Sequence, residues 1–119
     1  MAKILVAEDE RSVRDLLTLS LRGRGHDVQA VADGSQALSA LQRDRFDLLL
    51  TDIVMPIVDG IALSLKASQQ DPDMRILMMT GYAAERQRAH NLDELIHDVV
   101  LKPFTMDEIG NAVDSALTS

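Results

Sequence analysis

Short runs rich in apolar residues alternate along this chain with longer amphipathic stretches, and three of the runs end in charge. Ile4-Leu5-Val6-Ala7 meets Glu8-Asp9, Leu48-Leu49-Leu50-Thr51 meets Asp52, and Val99-Val100-Leu101 meets Lys102. Runs this short and this continuously apolar suit strands covered on both faces, and the intervening helical stretches supply the cover. The pattern predicts an α/β fold of five strand–helix pairs around a parallel sheet. The predicted strands run from Lys3 to Ala7, Asp27 to Val31, Asp47 to Thr51, Arg75 to Thr80 and Asp98 to Lys102.

Helices fill the gaps. Val13, Leu16, Leu17 and Leu21 recur at helical spacing before Gly23 and Gly25 end the helix, while Leu19 falls off that face. Asp33 is placed to cap a second helix carrying Ala37, Leu38 and Leu41. Asp59-Gly60 precedes a third with Leu63, Leu65 and Ala67. Thr105 and Glu108 have the capping-box spacing for a last helix built on Ile109, Ala112, Val113, Ala116 and Leu117. The stretch from Ala83 to His90 offers the fourth helix little apolar surface, so its local stability is expected to be low.

A length of 119 residues with 46% hydrophobic content fits one domain, 1–119, and no output domain is expected. A net charge of -7 argues against nucleic acid or an anionic membrane as partner, because both demand basic patches. With no cysteine there is no disulfide, thiolate nucleophile or Cys-ligated zinc. Met1-Ala2-Lys3 leads straight into the first strand without a leader-like segment, and a cytoplasmic protein is expected. His26, His90 and His97 lack ligand spacing and are read as surface or loop residues without a role.

Ligands of open parallel sheets bind outside the carboxyl ends of the strands, where the three charged ends would converge. Two ionised carboxylates about 4 Å apart repel by roughly 4 kcal/mol at an effective dielectric near 20, so a cation belongs among them. Glu8, Asp9 and Asp52 offer only oxygen ligands, which suits a hard, partly hydrated ion such as Mg²⁺. A strand-end carboxylate beside such a cation can attack phosphorus, with a lysine neutralising the transferring oxygens. Asp52 is the candidate nucleophile, Lys102 the neutralising cation, and Thr80 a hydroxyl for a phosphoryl oxygen. Taken singly, a strand-end Asp is more often a capping or loop residue, Lys102 is as readily a snorkelling lysine, and Thr80 is an ordinary strand residue. A trans bond at Lys102-Pro103 is favoured on the residues alone.

In order and spacing, Glu8-Asp9, the stretch from Asp52 to Gly60, Thr80-Gly81 and Lys102-Pro103-Phe104 resemble the receiver domain of two-component response regulators over essentially the whole chain. The resemblance implies a flavodoxin-like strand order 2-1-3-4-5 and phosphorylation of Asp52 by a histidine kinase or histidine phosphotransfer protein. It also implies Mg²⁺ held by Asp9, Asp52 and the Val54 carbonyl, with Glu8 acting through a bound water. Lys102 would pair with Asp52, Thr80 would swing inward, Gly81 would leave room for that motion, and the peptide before Pro103 would be cis.

Two departures from the family pattern concern readout. Val99 stands where many receivers carry an aromatic residue that rotates behind the threonine, and Tyr82, the chain's sole tyrosine, is expected to take over that task. Val54 and Tyr82 offer no carboxylate or amide to orient hydrolytic water, so self-dephosphorylation is expected to be slow. The stand-alone receivers of the CpdR type, adaptors in regulated proteolysis, are especially similar, which implies a downstream protein target such as a protease or adaptor. Leu19 is a candidate for the donor-docking surface. A phosphorelay shuttle is the alternative reading. A small aspartyl-nucleophile phosphohydrolase usually has a second Asp where this chain has Val54, and a flavin or nucleotide carrier lacks its Gly-rich loop here.

Overall fold

The computed structural model describes residues 2–90 and 96–118, without the side chains of Ala83, Glu85 and His90. The reading of His90 therefore lies outside what is described. In chain order the elements are β1 (Lys3–Ala7), α1 (Arg11–Gly23), β2 (Asp27–Val31), α2 (Gly34–Arg43), β3 (Leu48–Asp52), α3 (Gly60–Gln70), β4 (Arg75–Thr80), α4 (Ala83–His90), β5 (Asp98–Leu101) and α5 (Met106–Thr118). All strand pairs are parallel, in the order β2-β1-β3-β4-β5.

Successive residues of each strand face opposite sides, so the apolar runs divide between two cores. Ile4, Val6, Leu48, Leu50, Leu77 and Met79 pack with Leu17 and Leu21 of α1 and Ile109, Val113 and Ala116 of α5. Leu5, Ala7, Leu49, Ile76, Met78 and Val99 pack with α2, α3 and Ala89 of α4. This two-sided burial is why the strands read as continuous rather than alternating.

Three strand limits move by one residue: β3 runs Leu48–Asp52 rather than Asp47 to Thr51, and β5 ends at Leu101. Asp47 precedes β3, although its N–H donates to Lys3 O at 2.8 Å and its side chain accepts from Lys3 N at 2.8 Å. Lys102 lies beyond β5: its N–H still donates to Thr80 O, but Pro103 has no N–H to carry the ladder on. The Lys102-Pro103 peptide is cis, as the resemblance implied and the residues alone did not.

Leu16 and Leu65 are corrections. They are 52% and 39% exposed, because α1 buries the stripe through Leu17 and Leu21 and α3 the stripe through Leu63 and Ala67. Adjacent helical residues lie about 100° apart, and Leu16 loses the inward position to Leu17. Leu19 is 70% exposed, in keeping with its place off that face. His26 lies in the loop between α1 and β2, as read, and is half-buried there, Nδ1 accepting from Ala2 N and Nε2 facing Asp114 of α5 at 3.2 Å. His97 is exposed.

The capping residues act as their spacing suggests. Asp33 accepts from Gln36 N at 2.8 Å, Asp59 accepts from Ala62 N at 2.9 Å, and Thr105 and Glu108 cap reciprocally at 3.0 Å each. In α4, Ala84, Arg86, Gln87 and Arg88 are exposed and Ala89 is buried. Among the described residues no helix is long and apolar enough to cross a membrane.

Candidate functional site

Because β1 has β2 on one side and β3 on the other, the chain reverses its winding direction at the β1–β3 boundary, where open α/β sheets form a crevice. The register sets Ala7 beside Thr51, Asp52 beside Met79 and Thr80 beside Leu101. Glu8, Asp9, Asp52, Thr80 and Lys102 therefore emerge together. They line one cavity of about 400 Å³ with Glu10, Val54, Gly81 and Tyr82. Hollows of about 520 and 410 Å³ open at the opposite edge of the sheet, away from these residues.

Lys102 organises the cavity. Neighbouring strands lie about 4.8 Å apart, so a side chain leaving β5 must cross β4 to reach β3 and β1, a span suited to lysine. Its Nζ sits 2.7 Å from Asp52 Oδ1 and 2.7 Å from Glu8 Oε1. The snorkelling alternative is thereby set aside. Glu8 is fully buried, and its Oε2 accepts from Glu10 N at 3.0 Å.

Burial pushes the Asp52 carboxyl up to about 8, with Glu8 beside it adding to the rise and Lys102 opposing it. Burial would also raise Glu8, but hydrogen bonds from Asp52 and Lys102 hold it below the usual carboxylate value. Without a cation in the site, the neutral form is thus favoured at Asp52 and the charged form at Glu8, beside Lys102. Lys102 itself loses to burial and gains more from its two carboxylate partners, so its ammonium is stabilised. Exposed Asp9 is raised by partial desolvation and by Glu8.

Carboxylate oxygens of Glu8, Asp9 and Asp52 lie within 4.8 Å of one another. An all-oxygen set of this kind, balanced by one lysine, fits a hard divalent cation. Thr80 is buried, and its Oγ1 accepts from Tyr82 N at 3.1 Å, which leaves the hydroxyl proton available. Val54 and Tyr82 stand at the rim, 51% and 64% exposed.

Of the residues singled out in the sequence, Val99 and Pro103 do not line the cavity: Val99 is buried in the core beneath α4, and Pro103 follows Lys102 outward. Two contributors escaped notice. Glu10 lines the rim and fixes Glu8 through its backbone, a role its place in Glu8-Asp9-Glu10 could have signalled. Arg14 donates from Nη1 to the Glu8 carbonyl at 3.0 Å, an approach set by the β1–α1 turn that no local pattern announces.

Comparison with known proteins points one way. Residues 4–114 match the family described as the response regulator receiver domain. The response regulator receiver protein CpdR of Brucella abortus is 38% identical over 117 residues, 98% of each chain. The response regulator MprA of Mycobacterium leprae is 35% identical over 107 residues, and the chain spans about half of that protein, 47% of its length against 90% of its own. The crystal structure of response regulator protein TrrA of Thermotoga maritima, in complex with Mg²⁺-BeF, superposes with a TM-score of 0.89 at 28% identity, covering 98% of this chain and 100% of that one.

Proposed function

Since this chain belongs to the response regulator receiver domain family, we propose that Asp52 accepts a phosphoryl group and that its phosphorylation switches docking of a partner protein. The observation that carries this reading is Lys102 Nζ held 2.7 Å from both Asp52 and Glu8 at the carboxyl edge of the sheet. The donor is the phosphohistidine of a histidine kinase or phosphotransfer protein. Asp52 gives up its proton, one of its oxygens attacks phosphorus, the P–N bond breaks, and the departing imidazole nitrogen takes up one proton in exchange. Lys102 turns its ammonium from the Asp52 carboxylate to a phosphoryl oxygen, and the Thr80 hydroxyl donates to another.

Glu8, Asp9, Asp52 and the Val54 carbonyl are the groups that would hold Mg²⁺, which when bound supplies positive charge for the transferring oxygens. TrrA binds Mg²⁺-BeF within the same fold, which supports that assignment. With Asp52 ionised beside such a cation, phosphorylation would replace a single carboxylate charge with about -1.5 to -2 and three strong acceptors. The face of α4, β5 and α5 carries the response, and Tyr82 beside Thr80 reports it in place of an aromatic at Val99. The likeness to CpdR over 98% of both chains supports a stand-alone switch, and a protein target, a protease or its adaptor in the cytoplasm, completes the reading.

The test uses phosphoramidate, a small donor with the same P–N bond. With Mg²⁺, wild-type protein is expected to gain one phosphoryl group mapped to Asp52, and Asp52→Ala none. Labelling at another residue, or equal labelling of the variant, contradicts the reading.

A further inference from the structure

The loop from Ile53 to Asp59 joins the proposed phosphorylation site to α3, and it is held on two sides. Gly60 packs so closely on the Asp52 carbonyl that a Cβ there would collide with it, and Gly60 N donates to Ile53 O at 2.7 Å. On α2, Gly34 leaves the same kind of room for Val58. Between these fixed points Ile57 is 78% exposed and adopts φ +72, a left-handed backbone that β-branched residues rarely take. Such an outlier persists only where its surroundings over-determine it.

Asp59 closes the loop with both oxygens engaged. Oδ1 caps α3, and Oδ2 meets Arg88 Nη2 of α4 at 3.4 Å. The helix at the other end of that ion pair buries Ala89 and exposes the rest of its described side chains. It begins directly after Tyr82, with Arg86 N donating to Tyr82 O at 3.1 Å, so α4 and the Thr80–Tyr82 segment move together.

We propose that Arg88 is a positioning residue whose ion pair with Asp59 latches α4 in its unphosphorylated seat and must yield when the phosphorylated seat is taken. Thr80 reaching toward a phosphoryl group on Asp52 draws its segment toward β3, and the start of α4 follows. Asp59 cannot follow, because its cap and the packing at Gly60 pin it. The latch therefore opposes the shift by the modest worth of an exposed pair, which changes an equilibrium about two- to threefold. This inference rests on phosphorylation at Asp52.

Tyr82 is the one tyrosine in a chain without tryptophan, so its fluorescence follows this segment without interference. Titration with beryllofluoride and Mg²⁺ is expected to show half-saturation about two- to threefold lower in Arg88→Gln and in Asp59→Asn, the latter retaining a capping side chain. The double variant should gain no more than either single, and Arg88→Lys should return toward wild type. Without metal or beryllofluoride, the α4 amide hydrogens should exchange faster in both single variants. A wild-type response with unmoved or weakened variants, or additive effects in the double, overturns the latch alone. No wild-type response overturns the site reading and the latch with it.

Discussion

Asp52 carries two opposed demands, being buried enough to keep its proton and placed to act as a nucleophile. Burial pushes its carboxyl up to about 8 in the folded, metal-free protein from 3.8 for an unperturbed group, so folding favours the proton there. A raised value contributes stability that is fully present below the unfolded value and is lost as pH rises through the folded one. The metal-free protein should therefore lose this contribution between about pH 4 and pH 8. Asp52→Asn has no proton to lose, and its melting temperature should rise relative to wild type as pH increases through that window. A constant difference between the two proteins across the window would contradict the proton assignment. Ser64 makes a second case at this scale: its hydroxyl is fully buried on α3 without a hydrogen-bond partner among the described residues. An unsatisfied buried polar group costs about 1 to 3 kcal/mol, so Ser64→Ala should stabilise the fold by about 1 kcal/mol in urea unfolding.

At the scale of elements, the two loops at the rim govern how long a phosphoryl group survives. Val54 on the β3–α3 loop and Tyr82 on the β4–α4 loop flank the approach to Asp52 and present no amide to a water, while the Glu10 carboxylate lines the same cavity on the β1 side. The phosphorylated protein should hydrolyse slowly, and Val54→Asn should shorten its lifetime severalfold in a time course followed by intact mass. An unchanged lifetime would transfer control to Glu10. The elements themselves were largely legible, because runs such as Leu48-Leu49-Leu50 are apolar at every position and caps such as Asp33 and Thr105 act locally. Leu16 and Leu65 were not, since a helix with apolar residues on two adjacent faces does not say which one the sheet will cover. The grouping of the site residues followed from strand ends and strand order, while the Lys102–Glu8 contact, the His26–Asp114 pair and the left-handed Ile57 depend on tertiary approach.

For the whole molecule, the sheet places chemistry and response at a distance that one side chain and one loop can bridge. Lys102 spans from the edge strand to the interior of the sheet, and the segment after Thr80 leads directly into the weakly anchored α4. A switch of this form works by shifting populations: a ligand that favours one seat of α4 moves the equilibrium by its differential affinity. Hydrogen exchange over the full chain, with and without Mg²⁺ and beryllofluoride as phosphoryl mimic, tests that claim most directly. Protection is expected at Asp52, Thr80 and Lys102 together with altered exchange in α4 and β5. Changes confined to the loops around the cavity, with α4 and β5 unaltered, would contradict the claim.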